Sequence, residues 1–249
     1  MQENPKIQPF VRRRSIAFLA GWIIAVAAFI IPMDISGMFY MFTVHMTQHL
    51  LLSLVAPPLI LLGVAPERLH RFLAHHTFLR RCLAFLTIPA LASLVFNGNI
   101  WLWHAPVLMQ AMMSDPLLHH VTNLLYLGTG LLFWCPLLNV TPGRKAPLSL
   151  AAKLAYLFFS DMPMMLIGAG LTFSPPLYTF TMTHPFMRMV VTATDQQLGG
   201  LLMWVVGGVF LLVVVTSVLF LRWMLQQEKE QQEKDRHQLE EERASMPVT

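Results

Sequence analysis

Apolar residues run along this chain in long unbroken blocks, not at the alternating or three-to-four spacing of elements with one watered face. A helix needs about 20 predominantly apolar residues to cross a bilayer core of about 30 Å. Six blocks reach that length, over residues 15–32, 40–63, 82–103, 118–138, 148–170 and 195–223. The pattern predicts an all-α fold, a polytopic transmembrane helix bundle of six spans. The first block follows Arg12, Arg13 and Arg14, as the apolar core of a signal peptide does. It is longer than the roughly 7–15 residues of such a core and lacks a small-x-small cleavage site before Met33 and Asp34, so it reads as a retained helix.

Composition agrees with a membrane protein: 55% of residues are hydrophobic and 12% charged, against roughly 25% charged in soluble domains. The net charge of +4 conceals an uneven distribution. Residues 226–249 hold seven acids and four bases, a net −3, so the rest of the chain carries +7. Lys and Arg collect in alternate connections: Lys6 and Arg12 to Arg14, then Arg68, Arg71, Arg80 and Arg81 after the second span, then Arg144 and Lys145 after the fourth. Residues 33–39 and 104–117 have none, and 171–194 has only Arg188. Short cytoplasmic loops are the basic ones, which places both termini in the cytoplasm of a cell whose plasma membrane holds the bundle. Three regions follow: a basic arm over 1–14, the six spans over 15–225, and a charged tail over 226–249 that is solvated, with Glu/Lys pairs supporting a helix. No nucleic-acid partner is expected, only lipid and the partners considered below.

No repeat of fixed period is visible, and Gly199-Gly200 and Gly207-Gly208 lie inside the sixth span, where small residues permit close helix packing. Cys82 and Cys135 form no Cys-x-x-Cys pair and fall at cytoplasmic ends of spans, so neither a disulfide nor a thiol shuttle is expected. No Gly-x-Ser-x-Gly or His-Glu-x-x-His arrangement occurs, and the chain is not expected to be an enzyme.

Histidine is the informative residue. Six of the ten, His45, His49, His104, His119, His120 and His184, fall toward the outer side of the predicted topology, whereas His70, His75, His76 and His237 are cytoplasmic and read as solvated. At 1.5 Å per residue, His45 and His49 lie roughly 8 and 13 Å below the outer end of the second span, at a depth where ionisable groups are costly and functional. Four residues apart, they share a helix face as two ligands of one ion must, and Met38 and Met41 extend that stripe. Ten of the seventeen methionines fall on the outer side. Thioethers favour Cu(I), and imidazole accepts either oxidation state of copper as well as zinc. Asp195 opens the sixth span at the same level, and Asp161 lies in the outer half of the fifth.

At these residues the sequence resembles the multi-spanning CtaG family of cytochrome c oxidase assembly proteins. The second span carries HMTQHLLLSLVAPPLILLG from His45 to Gly63, the third ends in WHAP from Trp103 to Pro106, the fourth ends in GLLFWCPLL from Gly130 to Leu138, and the sixth opens with DQQLGGLLMW from Asp195 to Trp204. The resemblance implies a membrane protein that matures the oxidase, with copper for the oxidase subunits handled on the outer face. It also implies roles for His45, His49, His104, His119 and Asp195. The family places a second histidine four residues after the first at the start of the fourth span. Asn123 stands there, so His120 substitutes or the site has one imidazole fewer.

The expected metal set is therefore His45, His49, His104, His119, Asp195, His120 and Met41, binding copper as Cu(I) or Cu(II), with cytochrome c oxidase subunits as partners. Two other classes compete. Histidines on two membrane helices also suit axial ligation of haem in an electron carrier, with Trp101, Trp103, Phe133 and Trp134 near by. A copper or proton transporter would use His45, His49 and Asp161 along a path, but the inner halves of the second and fourth spans offer it little polarity.

Overall fold

Four of the described helices begin at a proline, which has no backbone donor to lose at a helix start. The computed structural model describes residues 8–30, 41–140, 142, 146–178, 181–184 and 187–245. Helix α1 spans Gln8–Ile30, so it begins inside the basic arm, and α2 spans Met41–Gly63. Short helices α3 (Pro66–Ala74) and α4 (Thr77–Leu86) precede α5 (Pro89–His104), α6 (Pro106–Ser114) and α7 (Pro116–Leu138). Helix α8 covers Leu150–Phe173. A hairpin of β1 (Thr181–His184) and β2 (Met187–Val190), pairing Thr181 with Val190, is a small departure from an all-helical chain. The last helix, α9, runs over residues 193–245.

Five of these helices, α1, α2, α7, α8 and α9, are long and apolar enough to cross a membrane. The third block differs from its expected form. In place of one helix over 82–103, α4 and α5 meet at a 79° bend. Pro89 has no N–H and biases the residue before it out of the helical region, and Ile88 is extended at φ −59°, ψ 127°. Only α4 and α5 taken together make a sixth span. Both α3 and α4 leave phenylalanines exposed, Phe72, Phe78 and Phe85 among them, as helices lying in a lipid interface do.

Proline also sets the local geometry of the long helices, and neighbours repair the damage. In α2, Pro57 cannot donate to the Ser53 carbonyl, and the turn Leu51–Val55 is π-helical. The Trp134 indole N–H of α7 donates to that carbonyl at 3.1 Å. Close approach is possible because residue 130 is glycine: a Cβ there would lie 2.8 Å from the Ser53 oxygen. In α7, which contains Pro136, the Tyr156 hydroxyl donates to the Phe133 carbonyl at 2.9 Å. In α8, which contains Pro163, the Asn97 amide donates to the Ser160 carbonyl at 3.0 Å. In lipid a freed carbonyl must find a donor inside the protein, and Ser53 does so through Trp134, while the other two bonds reach the carbonyls three residues before Pro136 and Pro163.

Caps begin the helices. Asp115 accepts from the Leu117 and Leu118 N–H groups at the start of α7, Ser149 from Ala152 at the start of α8, and Thr192 from Asp195 at the start of α9. The charged tail continues α9 as helix to Ser245, with four-apart pairs such as Gln226 to Glu230 at 2.9 Å.

Helices α8 and α9 pack with glycine against backbone: a Cβ on Gly168 would lie 2.8 Å from the Trp204 nitrogen, whereas one on Gly170 would meet nothing within 4 Å. Gly168→Ala should therefore destabilise the bundle by about 1–3 kcal/mol, the usual cost of overpacking, and Gly170→Ala should be neutral. Thermal unfolding of the two variants in mild detergent measures the difference, and equal midpoints would contradict the packing described.

Candidate functional site

Asp195 organises one end of the bundle. It occupies the third helical position after its cap Thr192, where a capping-box carboxylate would fold back on its own helix. It reaches instead to α2. The Phe42 N–H donates to Oδ2 at 2.8 Å, the Thr43 N–H to Oδ1 at 2.9 Å, and the Thr43 hydroxyl to Oδ1 at 2.7 Å. One buried carboxylate thus serves the first turn of α2 from the first turn of α9, and both helix N-termini favour its charge. The next residue, Gln196, holds the chain that follows α8: its side-chain oxygen accepts from the Leu177 and Tyr178 N–H groups at 2.7 and 3.2 Å, and its amide donates to the Leu171 carbonyl at 3.1 Å. Tyr178, so placed, donates its hydroxyl to the His104 carbonyl at 2.7 Å. Burial pushes the Tyr178 hydroxyl well above its ordinary pKa, so it remains a protonated donor.

These ties bring the start of α2, the end of α5, the start of α7 and the start of α9 to the same end, and four histidines meet between them. All four, His45, His49, His104 and His119, are buried. His45 Nδ1 and His119 Nε2 lie 3.2 Å apart. The His45 and His49 rings are 3.8 Å apart centre to centre, and those of His49 and His104 are 6.1 Å apart. His104 donates Nδ1–H to the Ile100 carbonyl at 2.7 Å, which fixes its tautomer and leaves the Nε2 lone pair available, the arrangement usual for a ligating histidine.

The spacing is informative. Two nitrogens bound to one tetrahedral ion at about 2.0–2.1 Å stand about 3.3 Å apart, so the His45–His119 pair lies at a coordination edge as well as at hydrogen-bond distance. No three His, Cys, Asp or Glu side chains among the described residues are grouped as joint holders of an ion. The imidazoles form a row, close in successive pairs.

The row is short of partners. His45 Nε2, both nitrogens of His49, His104 Nε2, both amide atoms of Asn123 and the Tyr126 hydroxyl are buried without a hydrogen bond. Buried polar groups are almost always paired, and leaving one unpaired costs about 1–3 kcal/mol. Asn123 and Tyr126 follow His119 by four and seven residues, on one face of α7. The Tyr126 ring lies 3.8 Å from that of His49. Below the row is a small cavity lined by Met46, His49, Leu50, Ser53, Ile100, His104, Tyr126, Met164 and Met203. It has space for about one water-sized particle. A porphyrin has no room there.

The remaining sequence candidates stand elsewhere. His120 is exposed, with its ring 6.0 Å from that of His119. Met41 is buried in the hydrophobic core at the first turn of α2. Met33 and Met38 lie outside the described residues, and His184 falls in β1. Asp195 spends both oxygens on α2. Asp161 is buried with both oxygens unpaired, and Oδ2 faces Gly208 of α9, where a Cβ would come within 3.4 Å of it. It does not line the cavity. Tyr126, Met164 and Met203 were not singled out from the sequence; the only signals for the methionines were a neighbouring Pro163 and the glycine pairs of α9.

With this arrangement in view, comparison with family models decides the affiliation. The model described as cytochrome c oxidase caa3 assembly factor (Caa3_CtaG) matches residues 2–226. The chain belongs to this family. The match ends where the charged tail begins, and so covers every span of this CtaG-family protein. Neither the curated proteins nor the solved structures contain a match to it.

The bonds made by Asp195 distinguish a cap from a ligand. Asp195→Ala should strip three donors of their acceptor and destabilise the CtaG-family protein by on the order of 2 kcal/mol. The loss should be the same with and without added metal. Thermal unfolding in both conditions tests it, since the loss of a ligand would instead lower the midpoint only of the metal-loaded form.

Proposed function

We propose that this chain is a non-enzymatic assembly factor that binds copper at the outer face of the plasma membrane and passes it to cytochrome c oxidase. Family membership supports the assembly role. The observation that carries copper is the buried row of four histidines with unpaired nitrogens, entered through the His45–His119 pair at coordination spacing. Its donors suit a borderline-to-soft ion. Imidazoles bind metal only when deprotonated.

The topology supports the location. With basic loops in the cytoplasm, the end of the bundle that holds the row faces outward, as delivery to a subunit assembled on that side requires. Both termini and the charged tail are then cytoplasmic. The row lies within about four turns of the start of α2, so an ion entering there need not cross the bilayer. This favours an assembly factor over a transporter, since beyond Ser53 of the cavity α2 continues as Leu54–Gly63 with apolar side chains and prolines.

Two measurements test the proposal together. Protein purified in mild detergent should take up copper, and His45→Ala/His119→Ala should weaken uptake by at least the roughly 10–100-fold that even an outer-shell loss costs at metal sites. Cells carrying the double variant as their sole copy should assemble oxidase deficient in copper. Undiminished copper binding by the variant would refute the proposal.

A further inference from the structure

We propose that the cavity beneath the histidine row is a second site, selective for Cu(I), in which the Met46, Met164 and Met203 thioethers join His49 and His104. The inference rests on the copper-handling reading above and locates the reduced ion within it.

Three helices converge there with soft donors. Met46 comes from α2, Met164 from α8 and Met203 from α9, all three buried, and all line one small enclosed space together with the imidazoles of His49 and His104. The space takes about one water-sized particle, a fit for one ion stripped of its hydration shell. Among the lining residues, both nitrogens of His49, Nε2 of His104 and the Tyr126 hydroxyl are buried without a hydrogen bond. His104 is already oriented through its Nδ1–H bond to the Ile100 carbonyl.

The glycines of α9 place these methionines. A Cβ on Gly199 would lie 3.1 Å from Met46 Cγ, and one on Gly207 would lie 3.0 Å from Met164 Cε. Residues 199 and 207 are two turns apart, either side of Met203. A larger residue at either position would press on a thioether chain, so the two glycines do more than let backbones approach.

The donor set decides the ion. Thioethers are soft and neutral, so they favour Cu(I) and offer little to Zn(II) or Cu(II). The imidazole pair of His45 and His119 has no such preference. The two sites then differ in selectivity as well as depth, with His49, whose ring neighbours His45 and also lines the cavity, placed between them.

The test uses the full chain in mild detergent, with Cu(I) under reducing conditions, Ag(I) as a soft probe that stays monovalent, and Cu(II) in air. The wild type should bind one Cu(I) or Ag(I) per chain with sulfur in the first shell by X-ray absorption. Met46→Leu/Met164→Leu/Met203→Leu, which keeps the volume of the lining, should bind Cu(I) and Ag(I) at least tenfold more weakly and lose the sulfur shell, while Cu(II) binding stays within twofold. Gly207→Ala, whose Cβ would come 3.0 Å from Met164 Cε and 3.2 Å from Leu50 Cδ2, should weaken Ag(I) binding and leave Cu(II) binding unchanged. A wild-type Cu(I) complex with nitrogen-only scattering overturns the thioether site and leaves the copper-handling reading standing. A wild type that binds neither oxidation state overturns both. If the triple variant fails to fold, the wild-type sulfur shell decides by its presence or absence.

Discussion

The position of α2 depends on one carboxylate. Asp195 sits at the start of α9, yet its oxygens accept from the first turn of α2, 152 and 153 residues away along the chain. The N–H groups it serves have no partner within their own helix, and apolar surroundings would make their loss of water costly. A buried carboxylate with no cation beside it would also be expensive. Each solves the other's problem, and the two helix starts are locked at one level. His45 and His49 are one and two turns further down α2, so their height in the bundle is set by this contact. Tyr178 and Gln196 do the same for His104 from the opposite side.

A different logic governs the row between these ties. Near the prolines the chain finds extra donors for helix carbonyls, as Trp134 does for Ser53, which Pro57 leaves unpaired, and Tyr156 does for Phe133 beside Pro136. At the row, seven polar atoms on five residues of α2, α5 and α7 go without. Under the proposed function, a ligand would complete that set, whose members are imidazole nitrogens, a hydroxyl and an amide. Donors left unpaired until such a ligand binds would lower the stability of the empty state and raise the gain on binding.

Much of this arrangement was legible in the sequence, and the rest was hidden for identifiable reasons. Block length places α2, α7 and α8 within three residues of the expected spans, because desolvating a backbone demands apolar length. The same averaging cannot see the 79° bend between α4 and α5, as both limbs are apolar and only Pro89 marks the break. The four-residue step from His45 to His49 is a local pattern and is read directly. The approach of His104 and His119 to that pair is tertiary, and only resemblance to a family pointed to it. Asp195 was expected among the ligands because it is a carboxylate at the right depth. Two of its three partners are the backbone N–H groups of Phe42 and Thr43, which all residues but proline carry and which therefore leave no trace in composition. Met164 and Met203 escaped notice because a methionine in a membrane span is ordinarily filler; what makes these two different is the cavity they line with His49 and His104, which only the tertiary fold creates.

The division of the bundle into two halves follows from where proline and histidine sit. Pro57, Pro136 and Pro163 lie in the later part of α2, near the end of α7 and in the middle of α8, and each freed or loosened carbonyl is met by a side chain from another helix. These cross-links are directional and buried, so they fix helix rotation as well as distance. Rotation is what a site on a helix face needs: turning α2 by one residue, 100°, would carry His45 and His49 away from α7 altogether. The π-helical turn at Leu51–Val55 adds to this control, since a one-residue insertion in the ladder resets the phase of α2 below His49 independently of the phase above it. The lower half can therefore be packed tightly against Trp134 and Gly130 while the upper half keeps its histidines aimed at His119 and His104. Rigidity below and unsatisfied donors above are parts of one arrangement, because a row of imidazoles holds its spacing in the absence of metal only if the helices that carry it cannot turn.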